Sequence, residues 1–294
     1  MANSWMQTPA GFAMLNGRAV LTNFWQAALN HSTLIRFVHT VIASWITGSF
    51  FVAGISAYYL LNKRFKDLSR ATLKLSLIIL IITSLFELIL GHAHSVQVAR
   101  TQPAKMAAFE ALYHTRQGAP LALFGFPDEK NQQNHFYIGL PYLLSFLIDF
   151  DFNAKVQGLS DFPEGERPPV FLPFVAYHVM ILLAIFFIAL SLVGAYLLKK
   201  KKLWETKWYL TVLAWAIPLP HVANQFGWLA AEVGRQPWAV YQVLKTADAV
   251  SVVVPAGQVL FSLLMFGIIY LIVFLAFVKA LLRMIKKGPT VVKA

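Results

Sequence analysis

His39 and Met180 are the residues of this chain whose types and depths suit one shared metal. An imidazole nitrogen and a thioether sulfur on opposite faces of a haem iron make a low-spin site with a raised potential. By a rise of about 1.5 Å per residue, His39 lies about one turn inside the first apolar run and Met180 two to three turns inside the third. Both runs are entered from the same surface, so the two side chains share a leaflet. Each residue also has a simpler reading, a histidine bonded to a neighbouring helix and a methionine filling a gap. His178 competes with Met180, because residues two apart on a helix point about 200° apart and only one faces the bundle centre.

Two carboxylates sit at the outer ends of apolar runs, Glu87 in the second and Glu232 in the fourth. An ionised carboxylate in lipid costs several kcal/mol, so each is expected to be protonated, paired or metal-bound. Arg235 follows Glu232 by one helical turn, the spacing of a simple ion pair. In Gly91-His92-Ala93-His94, the two histidines read as outward-facing and solvated; an extended backbone there would let them chelate a metal. His221 follows the kinking residues Pro218 and Pro220 and is expected to pack against carbonyls that the kink frees.

The elements that must position these groups are membrane helices. Of 294 residues, 58% are hydrophobic and 13% charged, and mean hydropathy is +0.60, well above a domain with a polar surface. A bilayer core of about 30 Å takes about 20 apolar residues per helix. Five runs qualify, at about 37–61, 71–91, 171–198, 209–230 and 254–278. Basic clusters follow the first (Lys63, Arg64, Lys66, Arg70), the third (Lys199 to Lys202, Lys207) and the fifth (Arg283, Lys286, Lys287). The positive-inside rule puts these three ends in the cytoplasm and the N-terminus outside. It also accounts for the net charge of +12 without a nucleic-acid partner, since the cations do not line one face.

The expected organisation is an all-α polytopic membrane protein with about five transmembrane helices and one long extracytoplasmic loop. Residues 1–33 form an interfacial N-terminal segment, 34–91 the first two spans, 92–170 the loop, 171–283 the last three spans and 284–294 a cytoplasmic tail. The loop carries six Lys or Arg against eight Asp or Glu, in keeping with an outside location. A connection that long is rarely idle, and its Asp128-Glu129-Lys130-Asn131 and Pro163-Glu164-Gly165-Glu166 stretches read as exposed turns. No internal repeat is visible, and an odd number of spans does not divide into inverted halves. Cysteine is absent, which excludes disulfides, thiolate zinc, iron–sulfur clusters and covalently attached haem. The first residues have no basic n-region or cleavage site and do not read as a signal peptide.

The stretch Gly227-Trp228-Leu229-Ala230-Ala231-Glu232-Val233-Gly234-Arg235-Gln236-Pro237-Trp238, continued by Ala239-Val240-Tyr241 and Lys245 to Ser251, resembles the signature of subunit I of cytochrome bd quinol oxidases. Trp5-Met6-Gln7-Thr8-Pro9, Arg36-Phe37-Val38-His39-Thr40 and Thr101-Gln102-Pro103-Ala104-Lys105-Met106-Ala107-Ala108-Phe109-Glu110 agree with it. The resemblance runs from near Ala2 to about Pro289.

The resemblance implies a quinol:oxygen oxidoreductase of the bacterial or archaeal cytoplasmic membrane, acting in a respiratory chain. In it His39 and Met180 match the axial ligands of the low-spin haem b, with His178 a neighbour. Glu232 matches a carboxylate of a high-spin haem, Trp228 an aromatic between haems, and Arg235 a counter-charge to haem propionates. Lys105 and Glu110 match the quinol-binding loop, whose chemistry needs a carboxylate base and a cation for the developing quinolate. Further high-spin haem b or haem d is implied, shared with a partner chain.

Family members begin with about four additional spans, and Met1 aligns within the usual polypeptide. The expectation is therefore a subunit split between two chains, with a partner supplying those helices and a second oxidase subunit completing the complex; a processed product and a divergent subunit without oxygen chemistry are the alternatives weighed. The rival functions are a haem b electron-transfer subunit that does not reduce oxygen, and a haem-free structural or transport protein.

Overall fold

The computed structural model describes residues 1–289, so the last residues of the expected cytoplasmic tail, 290–294, lie outside the described residues. The chain forms two units, 1–248 and a second from Ala249 onward.

The first unit begins with α1 (Ala2–Gln7), the hairpin β1 (Phe12–Leu15) and β2 (Arg18–Leu21), and α2 (Phe24–Ala28). Asn16 and Gly17 at the hairpin tip both have positive φ, 50° and 75°, which matches the twist of a two-residue hairpin turn. Two long helices follow, α3 (Thr33–Leu61) and α4 (Lys66–Thr101). Next comes a connecting region with α5 (Pro103–Phe109), β3 (Arg116–Gln117), β4 (Leu121–Asp128), β5 (Gln133–Leu140), α6 (Leu143–Asp149) and β6 (Lys155–Val156). Then come α7 (Phe171–Lys199), α8 (Lys207–Trp215), α9 (Leu219–Val233), β7 (Trp238–Val240) and β8 (Leu244–Lys245).

Helices α3, α4 and α7 are each long and apolar enough to cross a membrane. The fourth expected run is not one helix. It breaks between Trp215 and Leu219, where Pro218 and Pro220 each lack a backbone N–H and cannot continue the ladder. Together α8 and α9 cover that run.

The expected loop boundary at 92 needs correction. Helix α4 continues to Thr101 and stops at Gln102, just before Pro103, because polar residues sustain a helix beyond the lipid but a proline's predecessor is pushed out of helical conformation. His92 and His94 are therefore helical and half-buried rather than solvated on extended backbone. The loop itself is built rather than irregular. Strands β4 and β5 pair antiparallel, with register shifts between Ala122 and Phe126. Asp128 to Asn131 make the turn, where Asp128 accepts from the Lys130 and Asn131 N–H groups. Neighbouring Glu129 accepts from the N–H groups of Val170 and Phe171, 2.9 Å each. A carboxylate there satisfies the open donors at the start of α7 and complements its dipole.

The membrane core of this unit gathers α3, α4, α7 and α8. Phe50, Ala53, Leu73, Leu77, Leu80, Phe187, Leu190, Leu210 and Leu213 are buried together. Phe50 is fully buried and packs on Phe187 with ring centroids 4.8 Å apart. The Tyr209 hydroxyl donates to the Leu190 carbonyl at 3.0 Å, so this buried phenol is satisfied. A second buried cluster under the loop joins Met106, Ala107, Tyr113, Ala122, Leu144, Ile148 and Phe174.

The second unit holds α10 (Ala256–Lys287), also long and apolar enough to span. It starts after Pro255 and carries Lys286 and Lys287 in its last turn.

Phe50 offers the direct test of this packing. Phe50→Ala leaves a cavity that close-packed helices cannot collapse, and is expected to cost about 3–5 kcal/mol; thermal unfolding in detergent checks it, and an unchanged midpoint would contradict the core described here.

Candidate functional site

The sequence segments with functional signatures converge at one end of the first unit. Helix α1 reaches the end of α9 through Asn3, whose Nδ2 donates to Glu232 Oε1 at 2.8 Å. Arg36 of α3 donates to Asn3 Oδ1. Arg235 donates to Glu232 Oε2 at 2.7 Å, and its Nε bonds the Trp238 carbonyl at 3.2 Å. The ion pair expected one turn apart is thus formed, and Arg235 is 5% exposed. Its Nη1 is buried and has no hydrogen-bond partner among the described residues.

Lys105 enters the same region from α5. Its Nζ donates to Gln7 Oε1 at 2.5 Å, and Gln7 Nε2 in turn donates to the Ala231 carbonyl at 3.3 Å. Gln102 Nε2 holds the Gln7 carbonyl at 2.5 Å. Burial holds the Lys105 ammonium well below its ordinary pKa, and the nearby charges of Arg36 and Arg235 push the same way, against Glu232. Three basic side chains, those of Arg36, Lys105 and Arg235, therefore gather around Glu232.

Glu110 faces another side. Five residues beyond Lys105 correspond to about 140° of rotation on a helix. Its Oε2 accepts from the Ala122 N–H at 2.9 Å, while Oε1 is buried with no hydrogen-bond partner among the described residues. Burial pushes its pKa up to about 8, opposed by the Ala122 hydrogen bond. Phe109 beside it stacks on Tyr177 of α7, centroids 4.6 Å apart and 11° from parallel. The cation and base that sequence reasoning pairs therefore have separate surroundings.

His39 turns toward α4. Its Nδ1 lies 3.0 Å from Glu87 Oε1, but the contact lacks hydrogen-bond alignment, and Nδ1 and Glu87 Oε2 are buried with no partner among the described residues. His94 stands edge-on to the His39 ring, centroids 5.4 Å apart. Met180 faces α9 instead: a β-carbon on Gly227 would stand 2.7 Å from its sulfur. A β-carbon on Gly234 would stand 3.0 Å from Lys105 Cγ and from Phe109 Cε1. The two glycines of the Gly227 to Trp238 stretch thus let Met180 and Lys105 approach α9. Helix α4 packs on α7, and α9 on both α3 and α7. His178 points away from Met180's neighbour and reaches the Ala122 carbonyl on β4, 2.9 Å from Nε2. Trp228 is 60% exposed on α9.

The family model described as cytochrome bd terminal oxidase subunit I matches residues 1–289. The chain belongs to this family. Cytochrome bd ubiquinol oxidase subunit 1 of Bacillus subtilis (strain 168) is 36% identical over 298 residues, covering 98% of this chain and 64% of that protein. A putative cytochrome bd menaquinol oxidase subunit I of the same organism is 36% identical over 288 residues, 96% of this chain and 64% of its own. The solved structure of bd oxidase from Geobacillus thermodenitrificans superposes with a TM-score of 0.90 at 32% identity, covering 98% of this chain and 66% of that one. The chain thus spans about 64% of the length of these two curated relatives. As a bd oxidase subunit I family member, it shares its fold with that solved structure over 98% of its own length.

Asn3, Gln7, Arg36 and Gln102 are the residues that sequence reasoning missed. Each lies in or beside a segment that carries the family resemblance, which is the signal that could have found them. The Glu232–Arg235 pair is open to test: Arg235→Ala leaves the half-buried Glu232 carboxylate with Asn3 as its remaining partner and should cost about 1.5–3 kcal/mol of stability. In a double-mutant cycle with Glu232→Gln, the combined variant should lose clearly less than the sum of the single losses, and strict additivity would contradict the pairing.

Proposed function

We propose that this chain is the quinol-oxidising and haem-b-binding part of a cytochrome bd-type oxidase in a bacterial or archaeal cytoplasmic membrane, its N-terminus outside and C-terminus inside. The observation that carries the reading is the crowding of basic groups, half-buried Arg36 with buried Lys105 and Arg235, around Glu232, with Arg235 Nη1 buried and unpartnered among the described residues. A low-dielectric site with that imbalance calls for an anion.

The donor set fits an iron porphyrin. Its propionates would answer Arg235 and its neighbours, and a planar fork suits such carboxylates. His39 and Met180 would be the axial ligands of the low-spin haem. Glu87 lies 3.0 Å from Nδ1, so Nε2 would be the nitrogen for iron, and a small rotation of either side chain would let the carboxylate orient the imidazole. Glu232 would serve a high-spin haem b or haem d; both its oxygens have partners, yet a carboxylate offers about four lone-pair sites. Trp228, exposed on α9, would lie between haems at a partner surface. Bound there, haem would carry electrons from quinol to an oxygen-reducing haem pair shared with partner chains. In this reading the partners are lipid, a second oxidase subunit and a chain supplying the additional N-terminal helices.

Quinol itself is handled by the loop at residues 92–170. Glu110 is the base: its free oxygen atom accepts a proton from the substrate hydroxyl, and its other oxygen is fixed by Ala122. Lys105, held by Gln7, stabilises negative charge on the substrate oxygen. With loop and N-terminus outside, the released protons leave on the outer face.

Two outcomes are expected. A reduced-minus-oxidised low-spin b band of the purified complex should disappear in His39→Ala and Met180→Ala but persist in Glu110→Gln, whose quinol oxidation should fall by about 10²- to 10⁴-fold; a full-subunit complex without haem would reject the reading. Because Glu110 is raised to about 8, it is protonated below that pH and becomes a base above it. Quinol oxidation should therefore rise with pH through about 8, and a limb at the ordinary carboxylate range would contradict the assignment.

A further inference from the structure

His178 stands two residues before Met180 on α7, and nothing in the proposed chemistry uses it. Its Nε2 lies 2.9 Å from the Ala122 carbonyl and its Nδ1 lies 2.8 Å from the Phe174 carbonyl one turn back. The ring rests against Phe174, centroids 4.2 Å apart, and edge-on to Tyr177 at 5.7 Å. A carbonyl oxygen only accepts, so each contact is a hydrogen bond only where that ring nitrogen carries a hydrogen; in the tautomer with Nε2–H, His178 donates to the Ala122 carbonyl. The other end of the Ala122 residue donates its N–H to Glu110 Oε2 at 2.9 Å.

Ala122 is buried at 3% exposure and sits where the β4–β5 register shifts. A shift of this kind disturbs ladder bonding and redirects backbone groups. Here side chains engage both polar groups of one residue, the imidazole on one side and the carboxylate on the other. Phe109, stacked on Tyr177, and Tyr177, whose hydroxyl lies 3.0 Å from Ser95 Oγ, hold the segment before Glu110 to the same turn of α7.

We propose that His178 is a positioning residue for quinol oxidation: by holding the Ala122 carbonyl it fixes the backbone whose N–H aims Glu110, and so ties the quinol base to the helical turn that carries Met180. The inference rests on the reading of Glu110 as the base. It makes the loop and the haem-bearing helix one rigid piece, so that the distance between the proton acceptor and Met180's turn does not drift.

The test uses the intact complex. His178→Leu removes the donor and keeps the bulk; kcat for quinol is expected to fall by about 10- to 100-fold through misplacement of the base, with KM changed far less and the low-spin band unmoved. His178→Gln places an amide N–H where Nε2 was and should recover most of the rate, whereas the shorter His178→Asn should not. Redox-difference infrared spectra supply a readout that general loosening would not mimic: the carboxyl band assigned to Glu110 by its loss in Glu110→Gln should shift in His178→Leu and return in His178→Gln. If His178→Leu does not assemble, the Gln and Asn variants decide by the same two readouts. Wild-type kcat and an unmoved carboxyl band in the Leu or Asn variant would overturn the inference while leaving Glu110 as the base. Unimpaired turnover in Glu110→Gln would overturn both.

Discussion

Two arginines and a buried lysine gathered around one carboxylate set the terms for the rest of this molecule. Arg36, Lys105 and Arg235 come from α3, α5 and the segment after α9, and Glu232 answers them alone. Neutral amides fill in where charges would repel: Asn3 bridges Arg36 and Glu232, and Gln7 bridges Lys105 and the α9 backbone. A short N-terminal helix with little apolar surface is thus held in place by polar groups. Poorly hydrated like charges repel more strongly than they do in water, so such a network favours an anion beside it.

The same turn of α7 serves two neighbourhoods. Met180 leans on α9 over Gly227, while Tyr177 and His178 grip the loop that carries Phe109, Glu110 and Ala122. The tip of the β4–β5 hairpin is tied to the start of α7 as well, through Glu129 at the first N–H groups of that helix. Glu110 and Met180 are therefore mechanically joined, although their side chains occupy separate surroundings.

The long apolar runs were legible in the sequence because lipid demands length and hydropathy, and α3 and α7 follow them closely, while α10 continues past the expected 278 to Lys287. Hydropathy cannot see a helix that outlasts the lipid, so α4 runs ten residues past its expected end and carries His92 and His94 into the fold. The α8–α9 break follows from Pro218 and Pro220, whose kink was visible though its sharpness was not. The N-terminal hairpin had a readable signal in Asn16-Gly17. At the site, residue types marked the candidates, but their grouping did not show: Lys105 and Glu110 lie five apart yet face different partners, and Glu87 meets His39 from another helix. Polar contacts of that kind depend on helix rotation, which an apolar stretch without strong amphipathic bias leaves unspecified.

The central claim is that an iron porphyrin supplies the missing negative charge. A density map of the purified complex, at a resolution that separates side chains, tests it most directly. The account predicts iron bonded to His39 Nε2 and Met180 Sδ, with a propionate at Arg235 Nη1. A map with no porphyrin between those two side chains, or with Arg235, Lys105 and Arg36 neutralised by protein carboxylates alone, would contradict it.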